Sequence, residues 1–180
     1  IANLLAYSRQ QLLRLAPTDL NALLARVRPG LCQTVGDAVQ VRLLLGEGLP
    51  PVRIDAQRLE EGLYEMARNA AEAMPDGGTL TLETEVAQPD AAALAVAGGA
   101  GGASPGAYVR LRVADTGIGM EEEVAAHVFD PFFTTKGRAE REGLGLSAVY
   151  GLVRQVGGTV MVSSRPQEGT AFDLYLPVAV

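Results

Sequence analysis

The polar and apolar positions of this chain change period several times, and each change marks an element. Ile1, Leu5, Ser8, Leu12 and Leu15 follow a 4-3-4-3 spacing, a heptad seam that stops at Pro17. Two heptads are marginal alone, so this reads as the tail of a longer paired helix or as an amphipathic helix folded onto the domain. A second helix is expected from the N-cap Asp19 to about Thr34, disturbed by Pro29 and Gly30. Val39 to Leu45 alternates as a strand does. A third helix follows Asp55, with Leu59, Leu63, Met66, Ala70 and Met74 on its apolar face, and Pro75-Asp76-Gly77-Gly78 ends it. Thr79 to Val86 alternates strictly, with Leu80, Leu82, Thr84 and Val86 on one face. The stretch Ala87 to Ala107, rich in Ala, Gly and Pro, is expected to be a long mobile loop. Tyr108 to Asp115 is the next strand and Leu144 to Val156 the next helix. Thr159–Ser164 and Ala171–Leu176 then close as a hairpin around Gln167-Glu168-Gly169. The order lacks regular βαβ alternation, so the expected fold is α/β, a two-layer sandwich of one mixed sheet with helices on one face.

Composition narrows the classes. A chain of 180 residues that is 48% hydrophobic can bury one ordinary core. Its 15 basic against 21 acidic residues give a net charge of −6, which disfavours generic binding to nucleic acid or to anionic membrane. One cysteine, Cys32, permits no intrachain disulfide and agrees with a reducing, cytoplasmic setting. No apolar run reaches transmembrane length, and Ile1 opens inside an apolar pattern, which reads as the boundary of a fragment.

Several short motifs could carry chemistry. Glu61, Glu65, Asn69 and Glu72 lie opposite the leucines of the third helix. Glu65 and Asn69, four apart, pair a carboxylate with an amide that together can hold magnesium and order a nucleophile; alone they also fit a solvated face. Asp115-Thr116-Gly117-Ile118-Gly119-Met120 follows a strand. Its carboxylate can accept from an exocyclic amine and its glycines admit a flat ring, although an Asp-Gly turn has the same form. His127 to Lys136 joins three aromatics to a terminal cation, an anchored loop that could offer Lys136 to phosphate or a small hydrophobic cluster. His127, the only histidine, sits among packing residues and reads as structural. Gly143-Leu144-Gly145-Leu146-Ser147 opens a helix, where backbone N–H groups favour an anion, or else forms a hinge. Gly169-Thr170 enters the last strand.

The order and spacing of these motifs resemble the catalytic domain of sensor histidine kinases, in the superfamily that also holds gyrase, Hsp90 and MutL. Glu65 to Ala70 resembles the N box, Asp115 to Gly119 the G1 box, Phe129 to Lys136 the F box, Gly143 to Leu146 the G2 box, and Gly169-Thr170 the last glycine motif. Leu4 to Arg9 resembles the end of the preceding dimerisation helix, which would make residues 1–16 its tail and 17–180 the ATP-binding domain. The resemblance implies a Bergerat-type fold that takes ATP and Mg2+. Asp115 would accept from the adenine amine, with Gly117, Gly119 and Thr170 beside it. Asn69 would bind magnesium with Glu65 near the metal, while Lys136, Gly143, Leu144, Gly145 and Leu146 meet the phosphates. A lid would run from about Phe133 to Glu142. Glu65 would be the catalytic carboxylate, standing where many members carry Asn and where the ATPase branch has a water-activating Glu. Glu72 stands where some members have Lys. The implied partners are an upstream dimerisation domain bearing the phosphoacceptor histidine, a response-regulator receiver domain, and a second copy in the full-length protein. An ATP-driven clamp and a non-enzymatic nucleotide-binding module are the rival readings.

Overall fold

The structure is a computed structural model and describes residues 12–88, 107–130 and 145–179. In chain order the elements are β1 (Ala16–Thr18), α1 (Leu20–Val35), β2 (Val39–Leu45), β3 (Val52–Ile54), α2 (Ala56–Ala73), β4 (Gly78–Ala87), β5 (Tyr108–Asp115), α3 (Glu122–His127), α4 (Gly145–Gln155), β6 (Thr159–Arg165) and β7 (Gly169–Pro177). The heptad seam up to position 11 and most of the Ala87–Ala107 loop lie outside the described residues. Leu12 to Leu15 have no helix, and Leu12 is exposed.

α1 starts where its cap lies: the Asp19 carboxylate accepts from the N–H of Ala22 at 3.0 Å. The helix runs through Pro29 and Gly30 without a break. Burial outweighs the lost backbone bond, since Leu20, Leu23, Leu24, Val27, Leu31 and Val35 form one buried stripe, each contributing about 1.5–3 kcal/mol. Gly30 serves packing, because a Cβ there would collide with the Tyr64 hydroxyl of α2. α2 starts at Asp55, which accepts from Arg58 N–H at 3.2 Å and from Arg14 N–H at 3.0 Å. Its face of Leu59, Leu63, Met66, Ala70 and Met74 is buried as expected.

Five strands pair in the order β2-β4-β5-β7-β6. β2 and β4 are parallel, joined through β3 and α2, and the other pairs are antiparallel. Leu80, Leu82, Val109, Leu111, Val113, Phe172, Leu174 and Leu176 face the helices and form the core with them. Thr84 is buried with this set, but Val86 is half-exposed because β2 ends at Leu45 opposite Thr84 and leaves it uncovered. The opposite face carries charge. Arg110 bridges Glu83 and Glu85 at 3.1 Å, and Arg112 bridges Asp173 at 3.2 Å. Burial pushes the Asp173 carboxyl up, and the two arginines pull against it.

A small antiparallel pair, β1 with β3, joins the chain entering the domain to the strand before α2. Neither three-residue strand shows a period, and β1 occupies residues whose spacing suggested the end of a helix. α3 was not expected either: its six residues contain no buried position, so no apolar stripe announces it.

Candidate functional site

Three things meet at one end of the sheet: the last residue of β5, the turn between β6 and β7, and the C-terminal half of α2. Asp115 ends β5, and its Oδ1 accepts from the N–H of Gly117 at 2.9 Å and of Thr170 at 3.3 Å. Burial raises the Asp115 carboxyl above the ordinary range, and those two N–H groups hold it back. The loop after it is pinned to α2, with the N–H of Ile118 donating to the Ala73 carbonyl at 2.9 Å. A Cβ on Gly117 would come within 2.5 Å of that same oxygen, so only glycine lets the loop lie this close. Gly119 has φ +68°, and a Cβ there would strike the Arg165 carbonyl. The Thr116 hydroxyl accepts from Thr79 N–H at 3.0 Å.

Upstream along α2 stand Asn69 and Glu65, one and two turns from Ala73. Both are half-buried, while Glu61 and Glu72 are exposed. The Glu65 Oε1 receives Arg68 Nη1 at 2.6 Å, a contact that spacing alone did not single out. The start of α4 abuts this point: a Cβ on Gly145 would lie 2.8 Å from Glu65 Oε2. One turn away, a Cβ on Gly62 would lie 2.8 Å from Val149 Cγ2. Two glycines thus let α2 and α4 come close, which sets the start of α4 beside Glu65. The Leu146 side chain packs on the core, which leaves only its backbone to face an anion.

Of the expected site residues, Asp115, Gly117, Gly119 and Thr170 gather at the sheet end; Glu65 meets the start of α4 at Gly145 and Leu146, and Asn69 stands one turn along α2 from Glu65. Lys136, Gly143, Leu144 and the lid lie outside the described residues. His127 is corrected: it is exposed at the end of α3, with Nδ1 2.9 Å from Asp130 Oδ2, rather than packed. The packing role of that segment falls to Phe129, which stacks on Tyr150 at 5.1 Å and meets Phe172 at 5.9 Å. Sequence reasoning passed over Ser164, whose Oγ bonds Met120, Gly169 and Thr170. A serine late in an alternating strand carries no signal of its own.

A metal would find no protein cage here, because no cluster of three or more His, Cys, Asp or Glu is present among the described residues. One amide and one carboxylate on a helix face fit a different mode, that of a magnesium ion held by one or two protein groups, water and phosphate oxygens. No helix among the described residues is long and apolar enough to cross a membrane.

Comparison with known proteins shows the family and the fold. The family described as histidine kinase-, DNA gyrase B-, and HSP90-like ATPase matches residues 54–180. The sensor kinase CckA of Brucella abortus is 40% identical over 179 residues, covering 98% of this chain and 18% of that protein. The sensor histidine kinase ZraS of Escherichia coli is 30% identical over 181 residues, covering 100% of this chain and 35% of that protein. The chain thus spans about a fifth to a third of these relatives. Among solved structures, full-length ShkA in complex with AMPPNP superposes with a TM-score of 0.72 at 28% identity, covering 94% of this chain and 32% of that one. The catalytic domain of histidine kinase ThkA has the same fold, with a TM-score of 0.66 at 22% identity over 92% of this chain and 97% of that one. The chain belongs to the histidine kinase-, DNA gyrase B- and HSP90-like ATPase family and is an ATP-binding catalytic domain of the sensor histidine kinase type.

Proposed function

We propose that this domain binds ATP with magnesium along α2 and presents the γ-phosphoryl to a histidine on an upstream dimerisation domain. The observation that carries the reading is the alignment of two unlike subsites on one helix. A half-buried carboxylate backed by N–H groups stands at the Ala73 end, and a carboxylate–amide pair beside a helix N-terminus stands at the Glu65 end. Eight helical residues separate the ends by about 12 Å. That span suits a nucleotide laid along the helix, base at Asp115 and phosphates toward Gly145.

Asp115 would accept from the adenine amine, with Gly117 and Gly119 giving the ring room. The N–H groups at Gly145 and Leu146 would meet phosphate oxygens. Lys136, Gly143 and Leu144 are proposed as further phosphate contacts. Asn69, with Glu65 beside it, would hold magnesium, which when bound neutralises phosphate charge. Glu65 would orient the incoming nucleophile. Phosphoryl transfer needs positioning and charge neutralisation more than covalent help, and these residues supply both. The wider reading includes a homodimer, a response-regulator receiver domain as the next acceptor, and a cytoplasmic site of action.

The test has two arms. A fluorescent ATP analogue titrated with and without magnesium should bind, more tightly with the metal. Labelled ATP should leave this chain unlabelled, whereas the protein extended through its upstream helix should label. Acid-labile phosphate on this chain, lost in His127→Ala, would overturn the reading of the acceptor.

A further inference from the structure

Asp115, Thr170 and Ser164 form one row across β5, β7 and β6, each in register with the next. The row continues the sheet face that meets the helices, the face of Val113, Phe172 and Val162. Ser164 touches three groups. Its Oγ accepts from the N–H of Met120 at 2.8 Å, lies 3.1 Å from the Gly169 carbonyl, and lies 2.8 Å from Thr170 Oγ1. A hydroxyl has one hydrogen to donate and two lone pairs to accept with. A carbonyl can only accept, so the serine hydrogen goes to Gly169. The bond to Thr170 then has the threonine as donor. Together with the Met120 N–H this fills the capacity of Ser164, and it is the one arrangement that satisfies all three contacts at once.

The consequence lies in what Thr170 shows to a ligand. With its hydrogen spent on Ser164, its hydroxyl oxygen is an acceptor. Next to it, Asp115 Oδ1 is taken by the N–H groups of Gly117 and Thr170, which leaves Oδ2 as a second acceptor. We propose that Ser164 is a positioning residue for base selectivity. By taking the Thr170 hydrogen, it turns the sheet end into a pair of acceptors that read both hydrogens of an exocyclic amino group. This rests on the nucleotide-site reading above. A 6-amino purine meets the pair with two donors, and a 6-oxo purine opposes it with a lone pair. Without Ser164 the threonine hydroxyl turns freely and can donate to the 6-oxo group.

The experiment is a set of titrations of the whole chain with magnesium ATP and magnesium ITP, the 6-oxo analogue. Wild type is expected to favour ATP. Ser164→Ala should weaken ATP by about tenfold, the scale of one hydrogen bond to this site, while leaving ITP no weaker, so the ratio of affinities falls. Ser164→Thr keeps the hydroxyl and should restore the ratio. Thr170→Val, isosteric and lacking the acceptor, should lower the ratio by the same factor, and the double variant should lower it no further. A purely structural role for Ser164 would weaken both nucleotides alike; that result, or an unchanged ratio in Ser164→Ala or in Thr170→Val, overturns the inference. Failure of wild type to bind either nucleotide overturns the nucleotide-site reading instead.

Discussion

The proposed adenine contact requires Asp115 to stay ionised in a place that penalises charge. Burial raises its carboxyl above the ordinary value of 3.8. Asp55 is opposite in sign: burial pushes it up, but the N–H groups of Arg14 and Arg58, with the charge of Arg58, outweigh burial and hold it below 3.8. The two groups separate binding from folding along the pH axis. As pH falls through the raised Asp115 value, the folded state takes up a proton ahead of the unfolded chain, so this group does not destabilise the fold there. ATP, however, loses an acceptor. The stability contributed by Asp55 is present above 3.8 and is lost only as pH falls through its lower folded value. Parallel ATP titrations and thermal melts from neutrality downward should therefore show affinity failing before the Asp55 contribution to stability does. Coincident loss would contradict the assignment. Gly117 gives a second residue-scale test. Gly117→Ala places a carbon against the Ala73 carbonyl, with backbone on both sides of the contact. It should cost about 1–3 kcal/mol of stability, the usual penalty for overpacking, and weaken ATP binding while Mg2+ alone leaves the melt unchanged; wild-type melting and affinity would show that the loop does not need this approach.

At the scale of elements, α2 does most of the positioning, and it was also the most legible part of the sequence. Its five-residue apolar face, its start after Asp55 and its polar face could all be read from the sequence, because an 18-residue amphipathic helix repeats its signal many times. Strands β2 and β5 were legible to the residue, since alternation and burial coincide in them. The missed elements are those too short to repeat a pattern, β1, β3 and α3. The hydrogen-bonding role of Ser164 was illegible because it depends on register between strands joined by a turn, and sequence spacing does not set which hydroxyls meet. The two residues proposed to act from α2, Asn69 and Glu65, make a paired prediction. Asn69→Ala should weaken nucleotide binding in the presence of magnesium and change little in its absence. Glu65→Gln keeps its shape, so binding should survive, while single-turnover transfer in the longer protein falls by about 10²–10⁴. Equal transfer rates in Glu65→Gln and wild type would remove Glu65 from the mechanism.

At the scale of the molecule, the sheet keeps its two faces apart. One face is covered by helices and ends in the site; the other carries the Arg110–Arg112–Asp173 ion pairs. The chain entering through β1 is bonded to the start of α2 by strand pairing with β3 and by Asp55 on the Arg14 N–H, so the path from the upstream segment leads directly onto the helix that carries Glu65 and Asn69. The claim that this helix aligns a nucleotide between the sheet end and α4 is tested most directly by following backbone amide resonances during titration with magnesium ATP. The expected result is one saturable transition that shifts Gly117 and Thr170 at one end and Gly145 and Leu146 at the other with a common affinity, and that magnesium GTP does not reproduce. Shifts confined to one end, or an equal response to GTP, would contradict it.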